Sequence, residues 1–438
     1  MYNNITTFIH SLFGTDEFVP LHAPLFIGNE KKYLAECIDT TFVSSVGKFV
    51  DRFEEQVASY TGSKRAVVCV SGTNALHMGM LLVGVERDDE VLTQALTFIA
   101  TCNAISYIGA HPVFLDVDRD TLGLSPLAVK RWLSTHAEVR NGQCYNKKTG
   151  RRIKACVPMH TFGHPMKIDE LSAVCNEYHI ELVEDAAESI GSFYKGRHTG
   201  TFGRVGAISF NGNKTITTGG GGMLLFQDEE LGKFAKHLTT QAKVPHRWAF
   251  VHDHIGYNYR MSNVCAGVGR GQMKVLDNHI AHHKHVQKLY KELLKDVKGI
   301  HLHEQPADSR YDSNFWLCAA TLDEDIYIQG QEKAYKEVIK TAVGGAAGVV
   351  KEVNSAVTDC QPNANVEALR MFMFSKKIEC RPVWKPMHKQ PVYADAVAYV
   401  SGVSEEIFKI GFCLPAGPYV TDDDVRYIVD CIKEAIIN

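Results

Sequence analysis

Residues Val205 to Phe226 read VGAISFNGNKTITTGGGGMLLF, and in this stretch two apolar runs flank a polar loop. Short apolar runs bounded by glycine and polar residues are typical of buried strands. The loop holds a single lysine, Lys214, followed by four consecutive glycines, Gly219 to Gly222. Glycine lets a backbone pass close to a ligand because it has no Cβ. The stretch therefore predicts two strands joined by a loop that brings a lysine next to a ligand.

Apolar runs and helical patterns alternate along the chain before this stretch. The runs span Arg65–Val70, Glu90–Leu92, His111–Val117, Lys154–Met159 and Ile180–Val183, with helices predicted to open at Asn74 and after Phe98. This alternation predicts an α/β fold in which helices cover both faces of a mostly parallel sheet. Ligands of such sheets bind at the carboxyl ends of the strands. Between two of the runs, Val139–Arg152 contains the turn pair Asn141-Gly142 and predicts a surface hairpin.

The length of 438 residues is more than one ordinary hydrophobic core holds, so two domains are expected. We predict a large domain over residues 1–275, with an N-terminal arm, and a smaller C-terminal α+β domain over residues 276–438. A long helix at about 276–297 would lead from one into the other. Within the smaller domain, the glycine-rich segment Gly344 to Gly348 would weaken any helix, so we expect a mobile or irregular insertion there.

Composition argues against several classes of protein. The formal net charge of −3 lacks the basic surplus of a nucleic-acid-binding protein. The sequence contains no run of about 18 apolar residues, the length that would predict a membrane span. The N-terminus lacks the pattern of a secretory signal. The 12 cysteines are scattered without a CxxC pair, which favours buried reduced thiols over a zinc or redox site. Together these features predict a cytoplasmic protein.

Two other segments join the Lys214 loop as candidate ligand contacts. In VEDAAESIG, Val183 to Gly191, acidic residues end an apolar strand, and a carboxylate there can pair with a cationic ring nitrogen or cap a helix. In CVSGTNAL, Cys69 to Leu76, a glycine turn before a helix is typical of an anion site. A desolvated lysine forms Schiff bases with carbonyl cofactors and moves protons. A P-loop is excluded because its glycines would precede the lysine, whereas a plain surface loop stays an alternative.

Taken in order, these and further segments resemble the DegT/StrS type of nucleotide-sugar aminotransferase, a group of pyridoxal phosphate (PLP) enzymes of fold type I. The segments that carry the resemblance are SGTNAL, TFIATCNAI, PVFLDVD, MHTFGHP, VEDAA, SFNGNKTITTGGGG, GYNYRMS and RPVWKPMH. They extend over roughly residues 20–435, nearly the whole chain. The resemblance implies the PLP-dependent transferase fold, pyridoxal 5'-phosphate as cofactor, and transfer of an amino group to a keto sugar.

The resemblance also implies roles for individual residues. Lys214 matches the lysine that forms a Schiff base with the cofactor, and Asp185 matches the acid that keeps the pyridine nitrogen protonated. His160 matches a histidine at the end of a strand on the cofactor side. Other matched positions contact the cofactor: Phe98 on the ring, Gly72, Thr73 and Ser209 on the phosphate, Glu188 near the ring hydroxyl, and Asn258 on the phosphate of the neighbouring subunit. A homodimer with shared active sites is therefore implied.

Within the family, several segments look closest to the legionaminic-acid (LegC) and bacillosamine aminotransferases. These segments are PLHAPLFIGNEKKYL, TTFVSSVGKFVDRFE, the predicted hairpin and RPVWKPMHKQP. The subgroup implies glutamate as amino donor and UDP-linked 4-keto-6-deoxy-N-acetylglucosamine as acceptor, aminated at C4, for a surface polysaccharide or glycan. The stretch at about 327–365 is longer than typical, which leaves a GDP- or dTDP-linked keto sugar open.

The sequence leaves two rival functions and one rival site to consider. Related sugar dehydratases carry histidine in place of the lysine, so Lys214 disfavours that chemistry, and a non-catalytic regulatory protein of the same fold is the second rival. In the predicted linking helix, His279 and His283 lie one turn apart and could chelate a metal. No carboxylate or cysteine joins them at matching spacing, so we expect these histidines, with His282 and His285, to form a solvated helix face and no metal site.

Overall fold

The computed structural model describes residues 18–336, 338–342, 350–354 and 360–437. Its strands, in chain order, are β1 (Arg65–Cys69), β2 (Glu90–Gln94), β3 (His111–Leu115), β4 (Ala137–Arg140), β5 (Gln143–Asn146), β6 (Ile153–Val157), β7 (Glu181–Asp185), β8 (Phe193–Tyr194), β9 (Arg197–His198), β10 (Val205–Ser209), β11 (Gly222–Phe226), β12 (Lys243–Val244), β13 (Val251–His252), β14 (Ile300–Leu302), β15 (Tyr311–Asp312), β16 (Cys318–Leu322), β17 (Tyr327–Ile328), β18 (Val338–Ala342), β19 (Val350–Asn354), β20 (Arg381–Pro382), β21 (Val397–Tyr399), β22 (Gly411–Leu414) and β23 (Ile436–Ile437).

The α-helices are α1 (Glu30–Asp39), α2 (Lys48–Thr61), α3 (Gly72–Leu82), α4 (Ile99–Ile108), α5 (Pro126–His136), α6 (Ile168–Glu177), α7 (Glu229–Thr239), α8 (Asn263–Gln272), α9 (Leu276–Leu294), α10 (Ala364–Ser375), α11 (Val403–Ile410) and α12 (Asp422–Ala435). Short 3-10 turns lie at Thr161–Gly163, Gln331–Lys333, Met387–Lys389 and Pro391–Tyr393.

Eight strands form the main sheet, in the order β1-β11-β10-β7-β6-β2-β3-β21. The run from β10 to β21 is parallel throughout, and β11 is antiparallel to both β1 and β10. Every strand predicted from an apolar run in the N-terminal half is present, with ends that differ by at most two residues. Helices pack against this sheet, so the predicted mostly parallel α/β architecture is confirmed.

A second, smaller sheet follows in the C-terminal part of the chain. It is antiparallel, in the order β14-β16-β22-β20, and packs with α9, α10 and α12 around a core that includes Tyr290, Cys318 and Phe412. The helix predicted at about 276–297 is α9, which ends at Leu294. One strand of this part, β21, pairs with β3 and extends the main sheet, which a division at residue 275 does not anticipate.

The carboxylate of Asp116 ties the end of β3 to the start of α11. It accepts hydrogen bonds from the backbone amides of Ser401, Val403 and Ser404 and from the hydroxyls of Ser401 and Ser404, at 2.5–3.0 Å. Burial raises the pKa of Asp116, but the hydrogen bonds from Ser404 and Ser401 outweigh it, so that the pKa lies below its ordinary value. A negative charge at a helix N-terminus is also favoured by the helix dipole.

The prediction of a solvated histidine face on α9 is wrong for two of its four residues. His279 and His283 are buried, whereas His282 is half-buried and His285 is exposed beside Asp422. The reason is that α9 packs its buried face against the Lys214 loop and the N-terminal segment: His279 Nδ1 lies 3.3 Å from the carbonyl oxygen of Thr215. Burial lowers the pKa of His283 to about 3, so its ring is neutral and can be enclosed.

Smaller expectations have mixed outcomes. The predicted hairpin forms from β4 and β5, with Asn141 and Gly142 at left-handed φ angles of 50° and 72°. The 12 cysteines are all free, and all but Cys265 are buried, as predicted for reduced thiols. Within the described residues, none of the helices is both long and apolar enough to span a membrane. The insertion expected at Gly344 to Gly348 lies outside the described residues.

Candidate active site

Most of the predicted site residues follow strands that end at one edge of the main sheet. The strands β1, β2, β6, β7 and β10 run in the same direction, since β1 and β10 are both antiparallel to β11. Gly72 follows β1, Phe98 follows β2, His160 follows β6, Asp185 ends β7 and Lys214 follows β10. The carboxyl ends of parallel strands are where ligands of α/β sheets bind. The sheet therefore gathers these residues into one candidate site.

Lys214 and Glu188 form a buried ion pair at this edge. The distance from Lys214 Nζ to Glu188 Oε1 is 2.9 Å, and the side chains are 12% and 1% exposed. The other carboxylate oxygen of Glu188 accepts a hydrogen bond from the backbone amide of Phe162 at 2.9 Å. Burial raises the pKa of Glu188 to about 7, although the positive charge of Lys214 lowers it. Glu188 is thus a carboxylate that can gain or lose a proton near neutral pH.

Asp185 presents a second buried carboxylate. The hydroxyl of Thr101 donates to Oδ2 at 2.6 Å, and the amide of Ala187 donates to Oδ1 at 3.1 Å. Burial raises the pKa of Asp185, while these hydrogen bonds and the charge of Lys214 act in the opposite direction. A carboxylate that is desolvated without a full cationic partner favours a ligand that brings one. The alternative that Asp185 is only a helix cap loses support, because no α-helix begins at this residue.

His160 lies beside Asp185 with both ring nitrogens engaged by the protein. Nδ1 accepts a hydrogen bond from the amide of Met166 at 3.3 Å, so Nε2 carries the proton and donates to Glu184 at 3.0 Å. The backbone amide of His160 donates to the carbonyl of Asp185 at 3.1 Å. Glu184 also accepts from the amides of Gly200, Phe202 and Gly203. These bonds hold the end of β7 in place rather than aim the imidazole at a reacting group.

The turn before α3 has the features of a phosphate site. A Cβ placed on Gly72 would lie 2.8 Å from Ser209 Cβ, so only glycine allows these two backbones to approach. The hydroxyl of Ser71 accepts from the amide of Asn74 at 3.2 Å and caps the helix. The remaining amides of the first turn, among them those of Gly72 and Thr73, are outside the helix's own hydrogen-bond ladder. With the positive end of the helix dipole, they can bind an anion.

Phe98 and Asn258 lie at the margins of the site. Phe98 is 51% exposed at the start of α4, with its ring centroid 6.1 Å from that of Trp384, and its free face can stack on a planar ligand. Asn258 is exposed and lines a separate open cavity of about 470 Å³ with Val70 and Gly220. The structure therefore does not bring Asn258 to the Lys214–Glu188 pair of the same chain.

One described group of residues has metal-ligand chemistry, and it lies away from this site. His237, Asp253 and His254 each place one candidate ligand atom within 4.8 Å of the other two. Both histidines hydrogen-bond to Asp253 Oδ1, at 2.6 and 3.0 Å, which accounts for the arrangement without a metal ion. The spacing of these residues along the chain does not indicate such a group.

Comparison with known proteins is consistent with this geometry. The DegT/DnrJ/EryC1/StrS aminotransferase family matches the chain over residues 26–346 and 325–433. The chain belongs to this family. Its membership confirms the predicted PLP-dependent transferase fold, the aminotransferase activity and the pyridoxal phosphate cofactor.

Individual relatives of this aminotransferase cover nearly its whole length. It is 35% identical to a protein of Bacillus subtilis named putative pyridoxal phosphate-dependent aminotransferase EpsN, over 94% of each chain. It is 31% identical to GDP-perosamine synthase of Escherichia coli O157:H7, over 95% of this chain and 98% of that one. The crystal structure of the aminotransferase TlmJ from Streptoalloteichus hindustanus superposes with a TM-score of 0.78, at 24% identity over 95% of this chain and 98% of that one.

Sequence reasoning missed two residues that contact the Lys214 region of this aminotransferase. The ring of Trp316 lies 4.1 Å from Lys214 Nζ, measured to its centroid, and the side chain of Asn314 bonds to the carbonyl of Glu188 at 2.9 Å. Both precede β16 of the smaller sheet, far from Lys214 in sequence. The polar-aromatic run SNFW, Ser313 to Trp316, is the one local signal, and it carries no spacing that specifies a site.

The pKa of Glu188 provides a direct test of the buried pair. In cofactor-free protein labelled with 13C at glutamate side chains, we expect one NMR resonance to titrate near pH 7 and to vanish in Glu188→Gln, because burial raises the pKa of this carboxyl to about 7. Lys214→Met should move the midpoint higher, since the charge that lowers the pKa is lost. Lys236→Met, which removes the partner of a different buried glutamate, Glu54, should leave the midpoint unchanged. Absence of any glutamate titrating near pH 7 in the wild type would contradict the buried pair.

Proposed function

We propose that this aminotransferase holds PLP at the sheet edge described above and transfers an amino group from glutamate to the keto carbon of a nucleotide-linked sugar. The observation that carries the proposal is the Lys214 amine, held 2.9 Å from Glu188 beside the buried carboxylate of Asp185. A regulatory protein without catalysis would have no need to bury an amine against an enclosed carboxylate, a costly arrangement.

The residues of the site fit the chemical groups of PLP one by one. The amides of Gly72 and Thr73, with Ser209, would bind the phosphate at the helix N-terminus. Asp185 would pair with the pyridine nitrogen, and the exposed face of Phe98 would cover the ring. Lys214 supplies the amine that an aldehyde requires. The close approach of Gly72 to Ser209, which any Cβ would prevent, brings the turn and the strand end together for this purpose.

PLP supplies an aldehyde carbon that takes up the amino group and a ring that withdraws electrons. Lys214 would act as a base that takes a proton from the donor's α carbon, and later in the transfer as an acid that gives a proton back. Glu188, 2.9 Å from the amine, fixes its position. His160 would act as a positioning residue, because its hydrogen bonds to Glu184 and Met166 occupy both ring nitrogens.

The acceptor that we propose first is a UDP-linked 4-keto-6-deoxy-N-acetylglucosamine, aminated at C4. This assignment is supported by the resemblance of the N-terminal and C-terminal segments to the legionaminic-acid and bacillosamine enzymes. A GDP-linked 4-keto-6-deoxy sugar is the second candidate, because GDP-perosamine synthases of three bacteria are 30–31% identical over 95–96% of this chain. Either product would be an amino sugar for a surface polysaccharide.

We also propose that two copies of the chain form a dimer in which each contributes Asn258 to the partner's site. Asn258 is exposed, and the neighbouring Tyr259 accepts a hydrogen bond from the amide of Val70, next to the turn that would bind phosphate. Large apolar side chains lie exposed on the described surface, including Phe42, Val43, Trp248, Phe250 and Ile255. Exposed apolar area of this kind favours association. Within each chain, we propose that the large and the small domain meet at about residue 275, with α9 as the connection between them.

The first test concerns the lysine. Borohydride added to the holoenzyme should fix the cofactor covalently on the peptide that contains Lys214, and peptide mapping by mass spectrometry should locate it. Lys214→Ala should bind PLP without covalent capture and lose about 10²–10⁴-fold in transamination rate, because the proton-transfer group is gone. Lys236→Ala, another lysine paired with a buried glutamate, serves as the matched control and should react like the wild type. Capture of the cofactor on a different lysine would overturn the assignment.

The second test concerns the acceptor. With glutamate as donor, kcat/KM should be highest for the UDP-linked 4-keto-6-deoxy-N-acetylhexosamine and lower for GDP- and dTDP-linked 4-keto and 3-keto sugars. Amino-sugar formation is read by mass spectrometry, with Lys214→Ala as the blank. Preference for a GDP- or dTDP-linked sugar would refute the subgroup assignment and leave the family intact.

The third test concerns the shared site. Lys214→Ala and Asn258→Ala dimers should each be impaired, whereas refolding them together should restore activity, because a mixed dimer has one site with both changes and one with neither. Random two-fold assembly makes about half of the dimers mixed, so about a quarter of wild-type activity should return. If mixed dimers form and no activity returns, Asn258 acts within its own subunit.

A further inference from the structure

The Ser313–Trp316 segment contacts the chain on both sides of Lys214. We propose that Trp316, held by Asn314, is a positioning residue that fixes the Lys214 amine for its reaction; the proposal rests on the proposed function of Lys214. Neither residue has a role in the predicted cofactor site. The segment precedes β16, so the candidate site also includes a part of the chain that leads into the smaller sheet.

Trp316 reaches Lys214 in two ways. The amine of Lys214 lies 4.1 Å from the centroid of the indole ring, within the range of a cation–π contact. The indole Nε1 donates a hydrogen bond of 2.8 Å to the carbonyl of Asn213, the residue just before the lysine. The indole is 4% exposed, so water does not compete strongly for either contact. The ring is therefore fixed to the backbone of the loop whose lysine it contacts.

Asn314 fixes the same loop from the other side. Its Nδ2 donates to the carbonyls of Glu188 and Ile190 at 2.9 Å and approaches Thr215 Oγ1 at 3.3 Å. Its Oδ1 accepts from the amide of Trp316 at 2.9 Å. One short segment thus joins the residue before Lys214, the residue after it and the backbone of its carboxylate partner. A shift of this segment would change the distance between the amine and Glu188.

The backbone between the two residues is strained in a way that these bonds maintain. Phe315, which separates Asn314 from Trp316, has a φ of 48°, in the left-handed region that an aromatic residue rarely adopts. Its amide donates to the hydroxyl of Ser313 at 3.0 Å. Strain of this kind persists only where surrounding contacts over-determine it, and it is concentrated at functional sites. The conformation turns the Asn314 and Trp316 side chains toward the one loop.

Neutral histidines complete the surroundings of the indole. The ring of His22 lies 6.0 Å from that of Trp316, and its Nε2 is 3.3 Å from Nε2 of His283. Burial lowers the pKa of His22 well below its ordinary value, with His283 and Lys214 adding to the effect. A neutral imidazole packs against the indole without repelling the amine. The indole has no basic nitrogen, so it can hold the amine in place without taking a proton from it.

The experiment compares three tryptophan variants of the holoenzyme. Trp316→Leu removes the ring and its N–H, Trp316→Phe keeps an aromatic face, and Trp132→Leu removes a buried tryptophan of α5 that lies in another core. Two quantities are measured: the rate at which borohydride fixes the cofactor on Lys214, located by peptide mapping, and kcat and KM separately. Thermal unfolding of each variant records the loss of stability that any buried tryptophan causes.

For Trp316→Leu we expect capture on Lys214 to slow and kcat to fall about tenfold to a hundredfold with little change in KM, because a small displacement of a reacting group has this effect. Trp316→Phe should recover most of both quantities, and Trp132→Leu should lose stability but keep them. If Trp316→Leu captures the cofactor on Lys214 at the wild-type rate and keeps its kcat, Trp316 is only a core residue. Capture on another lysine in the wild type would instead refute the proposed function itself, so the two failures are distinct.

Discussion

A lysine amine enclosed by protein remains charged only if a carboxylate stays within reach, since desolvation otherwise favours its neutral form. Glu188 lies 2.9 Å from Lys214, and other parts of the chain hold this carboxylate in place. The amide of Phe162 binds the second oxygen of Glu188, and Asn314 binds its backbone carbonyl. The pair thus connects the main sheet with the segment that leads into the smaller sheet.

Two aromatic residues in the left-handed region flank this pair. Phe162 has a φ of 54°, and its backbone amide donates to the Glu188 carboxylate. Phe315 has a φ of 48° and follows Asn314, whose side chain donates to the Glu188 carbonyl. Neither position is a glycine, so the conformations store strain that the hydrogen bonds must offset. A site built in this way keeps its geometry before the ligand arrives, which reduces the reorganisation that a reaction would otherwise require.

The sequence predicted what depends on local patterns and failed where contacts are distant. The strands β1 to β7, β10 and β11, the hairpin turn and the residues that follow strand ends carry apolar periodicity, turn residues or motif order. The burial of His279 and His283 had no such signal, because a histidine reads as polar until the packing partner of α9 is known. Trp316 and the edge strand β21 could not be predicted for the same reason. Trp316 contacts Lys214 and β21 pairs with β3, and each of these partners is distant in sequence.

Charge balance links the ionisation of the buried carboxylates to the binding of PLP. The positive charge of Lys214 acts on two buried carboxylates, Asp185 and Glu188, and burial raises the pKa of both. A protonated pyridine nitrogen would supply the missing positive charge beside Asp185, so binding of PLP and ionisation of this carboxylate favour each other. The phosphate would find its compensation at the N-terminus of α3 rather than at a basic side chain. Burial keeps the pKa values of His22 and His283 low, so neither ring adds a positive charge beside the Lys214 amine.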